Sequence, residues 1–319
     1  MAAALRNDWQ RGFPLVPRPF AAIGGTLGWD EDRVLATLSG WLADGTLSRV
    51  GVVFAPRAAG ASTLAAMHVP AGDLERVASL VSAQPEVNHN YEREHPLNLW
   101  FVATAPTQAA LDAALARIAA RAGLDVLPLP MVEEYHIDLG FDLATGAVPR
   151  RGTASRPAVT LDGPDRRLVA AVEAGFPLVP RPYAAIGERA GMDEPDVIAR
   201  LSRWADAGIA RRIGLVLRHR PLGIDANAMA VWDVPDERAA ACGARLAAEP
   251  AVTLCYRRER RMPQWPYNLY CMVHGRDRGE VEVALAHLRE SAALGAFPHA
   301  VLFSARCFKQ RGARYAEAA

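Results

Sequence analysis

Three shortages bound what this chain can be. It has four cysteines, Cys242, Cys255, Cys271 and Cys307, all in the second half and none in C-x-x-C spacing. That argues against an iron–sulfur or zinc site and against a disulfide scaffold, and leaves isolated reduced thiols. There is no uninterrupted apolar run of about 18 residues and no apolar stretch in Met1–Gln10, so a soluble cytoplasmic protein without a membrane span is expected. Charge excess is missing too: 36 Lys and Arg stand against 35 Asp and Glu, a net +1, so no global field draws the chain to nucleic acid or a membrane. The balance hides an asymmetry. Residues 1–150 carry 11 basic and 16 acidic side chains and residues 151–319 carry 25 and 19, which makes the second half the better anion binder. What remains is an ordinary globular composition, 51% hydrophobic and 22% charged over 319 residues, long enough for two or more domains.

The chain repeats itself. Residues 12–24 read GFPLVPRPFAAIG and residues 175–187 read GFPLVPRPYAAIG. The same register pairs Trp41 with Trp204, Gly45 with Gly208, Arg49 with Arg212 and Gly51 with Gly214. Further on, Pro85 to Tyr91 corresponds to Pro250 to Tyr256, and Asn98-Leu99-Trp100 to Asn268-Leu269-Tyr270, with insertions falling in loops. This is a tandem duplication, with a linker rich in Arg, Pro, Gly and Ser over residues 147–162.

Each copy divides again. Ile23, Leu27, Val34, Leu35, Leu38, Trp41 and Leu42 recur at helical spacing, broken by Gly28-Trp29-Asp30, with Asp30 as N-cap and Gly45 as stop, which predicts a helix-turn-helix. Strands are expected over 49–55, 63–69, 86–93, 97–103 and 126–139, and helices over 70–83 and 107–122, with second-copy helices near 236–248 and 277–293. The order contains the β-α-β-β-α-β of a ferredoxin-like unit. The expected fold is therefore α+β, each half a helix-turn-helix (winged-helix-like) domain plus a ferredoxin-like domain. The domains are set at 1–48, 49–146, 163–211 and 212–319, with the linker between.

This combination resembles the Lrp/AsnC family of transcription regulators. In a DNA reader the second helix enters the major groove among phosphates. Here it opens Asp30-Glu31-Asp32 in one copy and Asp193-Glu194-Pro195-Asp196 in the other, acids that repel a phosphate backbone and that the helix dipole explains as caps. No DNA partner is expected. Over nearly the whole chain, GFPLVPRPFAAIG, the HNYERE and NLWF pair, CYRRE, WPYNLYCMVHG and the closing FSARCFKQRGARY together resemble the siroheme decarboxylase family, in the form in which D and L subunits of haem d1 biosynthesis are fused. The resemblance implies that siroheme loses two acetate carboxyl groups, on rings C and D, to give 12,18-didecarboxysiroheme and two carbon dioxides. The iron then belongs to the substrate, and no separate cofactor or protein-held metal is expected. The alternatives are a tetrapyrrole carrier that does no chemistry and an Lrp-like regulator. A pseudo-dimer within one chain is expected, with a homodimer or a complex with paralogous decarboxylase subunits left open, as is the choice between haem d1 and alternative haem synthesis.

Decarboxylation of a pyrrole acetate needs an electron sink, a proton donor for the new methyl group and cations for the substrate's carboxylates. Strand alternation puts Val87, His89, Tyr91 and Arg93 on one face, and Val252, Leu254, Tyr256 and Arg258 on the matching face of the second copy. His89 suits proton donation or axial ligation of the substrate iron, with a core or surface histidine as the plain alternative. Tyr91 and Tyr256 could relay protons or stack on the macrocycle, or be plain strand aromatics, and Trp100 is a further candidate in the substrate site. Arg93, Arg257, Arg258 and Arg261 are the candidate carboxylate anchors, against the alternative of a solvated charge run. His136 aligns with Arg306, and Lys309 lies beside it; these either close the pocket's rim or cap a strand. The family pattern H-x-Y stands at His89 and Tyr91, but Leu254 replaces the histidine in the second copy. Of two quasi-equivalent pockets, the one holding His89 is therefore expected to be catalytic.

Overall fold

A computed structural model describes residues 2–137, 161–218 and 225–316. The linker at 147–162 lies outside the described residues except for its last two positions, where Asp162 caps the next helix.

Each copy opens with three helices and a strand. In the first these are α1 (Ala2–Asp8), α2 (Pro19–Leu27), α3 (Glu31–Ala43) and β1 (Leu47–Phe54). The helix ends follow the sequence. Pro19 occupies the first turn of α2 and Gly28 ends it at φ +68°, while the Asp30 carboxylate accepts the Arg33 amide at 2.7 Å, as capping chemistry requires. A Cβ on Gly24 would meet the Trp29 carbonyl at 2.5 Å, and one on Gly187 the Met192 carbonyl at 2.4 Å. The glycine that ends the repeated motif is thus required by the tight turn between the helices. Glu31 and Glu194 are ion-paired to Arg18 and Arg181 of the same motif, so these acids serve the domain's own geometry.

After β1 the first copy continues β2 (Ala61–Met67), α4 (Leu74–Ala83), β3 (Val87–Arg93), β4 (Leu99–Ala105), α5 (Gln108–Ala122), β5 (Leu127–Leu129) and β6 (Met131–Ile137). The second comprises α6 (Gly163–Val172), α7 (Pro182–Ala190), α8 (Glu194–Ala207), β7 (Ala210–Leu217), β8 (Ala226–Trp232), α9 (Asp236–Ala247), β9 (Val252–Arg258), β10 (Leu269–Gly275), α10 (Arg278–Ser291) and β11 (His299–Gln310). Helices α1 and α6, which precede the helix-turn-helix in each copy, were not expected from the sequence.

The two copies are built into each other. β1 and β7, assigned by sequence to the ferredoxin-like units, instead pair with one another in a separate two-stranded sheet, with Gly51 opposite Gly214. Around it the repeated motifs meet. Phe13 and Phe176 pack at 6.1 Å, the Phe13 amide donates to Ile213 O and the Phe176 amide to Val50 O, and the Tyr183 hydroxyl donates to Pro14 O at 2.7 Å. One shared apolar core joins both helical domains. The two copies of the motif are alike because they form opposite halves of one pseudo-symmetric interface.

The remaining nine strands run in the order β5-β2-β4-β3-β11-β8-β10-β9-β6. β5-β2-β4-β3 and β11-β8-β10-β9 each have the strand order of a ferredoxin-like unit. The last strand of each copy then crosses to the other: β6 pairs with β9, and the second half of β11 pairs with β3. The single strand expected over 126–139 is split at Pro130, where β5 pairs with β2 and β6 leaves for the second copy. The crossing is packed as well as hydrogen-bonded. Tyr135 on β6 lies on α9 so closely that a Cβ on Gly243 would fall 2.3 Å from its ring, and Phe308 on β11 packs on the first copy's helix-facing core. Helices cover the outer face of each sheet, and the inner faces share a further apolar cluster that includes Trp100, Tyr256, Trp265 and Tyr270.

Candidate functional site

A cavity of about 740 Å³ lies between the inner sheet faces and reaches the helical domains at Asp44, Phe54 and Arg218, a size typical of ligand pockets. His89, Tyr91, Arg93 and Trp100 enter it from one copy, Leu254, Tyr256 and Arg258 from the other, and Lys309 from the crossing strand. His89 and Leu254 therefore face the same space. The second copy thus contributes a wall to the pocket that holds His89.

Local backbone irregularity aims His89 inward. Perfect alternation would put Val87 beside it, yet Val87 lies in the helix-facing core. The register of β3 against β4 shifts between the two residues, and this irregularity sends Asn88 as well as His89 to the cavity. The second copy matches it, with Val252 in the helix-facing core and Leu254 against the inner cluster.

The two arginines are fixed in mirrored ways. Arg93 donates from Nη1 to Leu302 O at 3.0 Å, lies with Nη2 3.8 Å from Met272 Sδ, and stands over the Tyr91 ring at 5.8 Å. Arg258 donates from Nη1 to Leu129 O and stands over Tyr256 at 4.5 Å. Each reaches a carbonyl of the strand that closes the other sheet. Neither Nε finds a hydrogen-bond partner among the described residues, and neither guanidinium is in an ion pair there. Burial holds Arg93 down at about 10. Buried cations without anionic partners suit an anionic ligand.

The His89 imidazole is lowered to about 4 by burial and, secondarily, by the Arg49 guanidinium, so it is neutral at physiological pH. Its ring lies parallel to that of Tyr91 at 6.2 Å. Trp100 forms part of the floor, its indole N–H donating to Leu97 O at 2.6 Å and its ring edge-on to Trp265 at 5.0 Å. Tyr256 stacks on Tyr270 at 5.6 Å. Lys309 Nζ donates to the Ser82 and Gln84 carbonyls, the latter at 3.0 Å, and is lowered to about 8 by burial and by Arg311 and Arg314.

Four sequence candidates lie outside the cavity. Arg257 alternates with Arg258 to the outer face and pairs with Asp236 at 3.3 Å. Arg261 donates to Pro128 O at 2.9 Å and pairs with Glu259 at 3.0 Å. Arg306 is held by Glu75 and Glu92 on the surface. His136 is half-buried on β6, where its backbone pairs with Cys255. Its counterpart is also corrected: Lys309 pairs with Asn90 as His136 pairs with Cys255, and Asn90 and Cys255 are equivalent positions. The partner of His136 is thus Lys309, not Arg306. Conversely, Asn88, Ser62, Thr104, Asn227, Met272 and His274 line the cavity and were missed. Inward positions on β2, β4, β8 and β10 were the available signal for all but Asn88, which the irregularity in β3 turns inward.

Known proteins agree with this architecture. A family model described as the AsnC-like ligand binding domain matches residues 59–136 and 221–309, and one described as the siroheme decarboxylase NirDL-like HTH domain matches 4–47 and 165–211. Both place β1 and β7 outside the ferredoxin-like units. The siroheme decarboxylase NirDL subunit of Paracoccus denitrificans (strain Pd 1222) is 46% identical over 99% of this chain and 97% of its own length. The crystal structure of the siroheme decarboxylase NirDL superposes with a TM-score of 0.71 at 30% identity, over 98% of this chain and 93% of that one. A second crystal structure, in complex with an iron-uroporphyrin III analogue, gives 0.70 at 30% identity, over 96% and 91%. With both halves matched and a relative aligned end to end, the chain belongs to the siroheme decarboxylase family.

Proposed function

We propose that this protein binds siroheme in the cavity between its sheets and converts it to 12,18-didecarboxysiroheme, each acetate reacting as R–CH2–CO2⁻ + H⁺ → R–CH3 + CO2. The observation that carries the reading is the inward pair Arg93 and Arg258, two buried guanidiniums without carboxylate partners among the described residues, on opposite walls of a space that also holds His89. Carboxylates of the macrocycle are their natural counterions, and the tyrosines beneath them offer flat surfaces to the ring.

His89 is the proton donor, or the axial ligand of the substrate's iron. As a neutral imidazole it has no proton to give in the empty site, but the substrate changes that. A carboxylate about 4 Å away contributes about 4 kcal/mol at an effective dielectric of about 20, enough to restore protonation near neutral pH. Siroheme would thus load its own acid, and Tyr91 would complete the proton path. Arg93 and Arg258 hold carboxylates, Trp100 and Tyr256 support the ring, and the Lys309 ammonium is engaged by the Ser82 and Gln84 carbonyls beside α4. The iron is the substrate's, and the lyase needs no further cofactor.

The test is anaerobic incubation with siroheme, followed by extraction and mass spectrometry. Loss of two carbon dioxides is expected, and tightly bound siroheme of unchanged mass would overturn the reading in favour of a carrier. His89→Ala separates the same alternatives: turnover falls far more than affinity in an enzyme, and both fall together in a carrier that uses His89 as iron ligand.

A further inference from the structure

The walls of the cavity are paired. Leu64, Tyr91 and Arg93 of the first copy line it opposite their counterparts Met229, Tyr256 and Arg258, and the tyrosine and arginine pairs are identical. A macrocycle given a half-turn about the pseudo-twofold axis would meet the same arginines and the same tyrosines. These contacts give affinity and no choice between the two orientations.

The copies differ in length at one hairpin of the sheets. Residues 94–98 join β3 to β4, whereas residues 259–268 join β9 to β10, five positions more. The longer hairpin delivers Trp265, fully buried in the inner cluster, and the shorter one holds no tryptophan. Arg261 and Trp265 exchange backbone hydrogen bonds at 2.8 and 2.7 Å, and Arg261 Nε ties the hairpin to Pro128 O of the first copy at 2.9 Å. The indole meets Trp100 edge-on at 5.0 Å and donates from Nε1 to the Tyr270 hydroxyl at 2.6 Å. Trp100 and Tyr270 are equivalent positions, each opposite the tyrosine of its own copy. Trp100 reaches the cavity and Tyr270 does not. One tryptophan from one hairpin thus backs a floor that is one-sided.

Resting on the siroheme reading above, we propose that Trp265 is a positioning residue that selects one orientation of the macrocycle. It acts through Trp100, which it presses from below, and through Tyr270, which it holds back, so the two halves of the ring meet unlike surfaces. With the ring held one way, the same acetate of rings C and D lies nearest His89 in every molecule. The first carbon dioxide then leaves from one ring only, and the intermediate is a single monodecarboxylated isomer.

The test is Trp265→Leu in the full chain, in anaerobic reactions stopped after the first carbon dioxide, with the intermediate's isomers separated by chromatography and assigned by NMR after demetallation. Wild type should give one isomer by at least about 20 to 1. The variant should give a mixture near about 2 to 1. Its siroheme affinity should stay within about threefold, because the paired arginines and tyrosines hold either orientation, and two carbon dioxides should still be lost. Tyr270→Phe, which removes only the acceptor of the indole N–H, should shift the ratio the same way by less, and it carries the comparison if the Leu variant does not fold. Both isomers in equal amount from wild type, or turnover slowed at an unchanged ratio in the variants, would overturn the inference. No carbon dioxide from wild type would overturn the function itself. The visible circular dichroism of bound siroheme then decides the orientation alone: a spectrum altered in the variants supports the inference, and an identical one overturns it.

Discussion

Replacing Arg93 with Met should stabilise the empty protein and cripple substrate binding. Arg93 is 7% exposed, and burial depresses its guanidinium from 12.5 to about 10. At about 1.4 kcal/mol per pH unit this is a cost of about 3 kcal/mol to the folded state. The sign is that of a depressed base: the group is a cation in folded and unfolded chains below pH 10, so the cost is fully present at neutral pH and fades only as pH rises through 10. Methionine has similar volume and no charge, but it leaves Leu302 O without the 3.0 Å donor, a loss of about 1–2 kcal/mol. The net is a gain of about 1–2 kcal/mol, seen as a Tm higher by a few degrees in calorimetry without ligand. Siroheme should offset that advantage. Wild type gains about 2.7 kcal/mol at a ligand concentration of 100 Kd, whereas the variant, deprived of a buried charge-assisted contact, binds at least about 30-fold more weakly. A lower Tm in the empty variant, or undiminished siroheme affinity, would refute the assignment of Arg93 as a desolvated carboxylate anchor.

Three further outcomes follow from the same geometry. His89 is neutral when buried, at about 4 against 6.5 in the unfolded chain, so the unfolded state takes up a proton first as pH falls. Stability present above pH 6.5 should decline by about 3 kcal/mol towards pH 4, and His89→Leu should flatten that part of a denaturation–pH profile; an unaltered slope would place the imidazole in solvent. Arg257→Ala, Arg261→Ala and Arg306→Ala should each leave siroheme affinity within about twofold by titration, because their partners are surface carboxylates and a backbone carbonyl outside the cavity; a tenfold loss in any of them would return it to the site. Gly243→Ala, a change that usually favours a helix by about 1 kcal/mol, should instead destabilise by about 1–3 kcal/mol in chemical denaturation because its Cβ meets the Tyr135 ring at 2.3 Å, and Tyr135→Leu should relieve it; a stabilised single variant would contradict the packing of the crossing strand.

The duplication, the helix-turn-helix and the ferredoxin-like order could be read from the sequence because they rest on local signals. Asp30 and Asp193 cap as expected, Gly28 and Gly191 stop their helices in the left-handed conformation, and the apolar spacing of each helix marks its buried face. What escaped was everything that depends on one copy meeting the other. Nothing in residues 47–54 distinguishes a strand that joins its own sheet from one that pairs with β7, since both need the same β-branched and apolar residues. Pro130 was visible, but a proline in a strand does not announce that the chain beyond it will leave for a different sheet.

The site was legible to the same depth. His89, Tyr91, Arg93, Tyr256 and Arg258 lie on one alternating pattern, and the pattern held from residue 89 onward. It failed at Val87 because a register shift, invisible to a period-two count, intervenes. The arginine run failed differently: Arg257 and Arg258 are adjacent, so a strand must send them to opposite faces, and only the fold says which face is inward. His274 lines the cavity from β10, one strand away from the position on β9 where the repeat register would put an imidazole. Duplicated sequence constrains residues at equivalent positions, whereas the chemistry of a shared cavity constrains only what reaches it. The cavity is shared because β6 and β11 cross between the copies, and the exchange that a one-dimensional reading could not see is also what lets the halves of the site diverge.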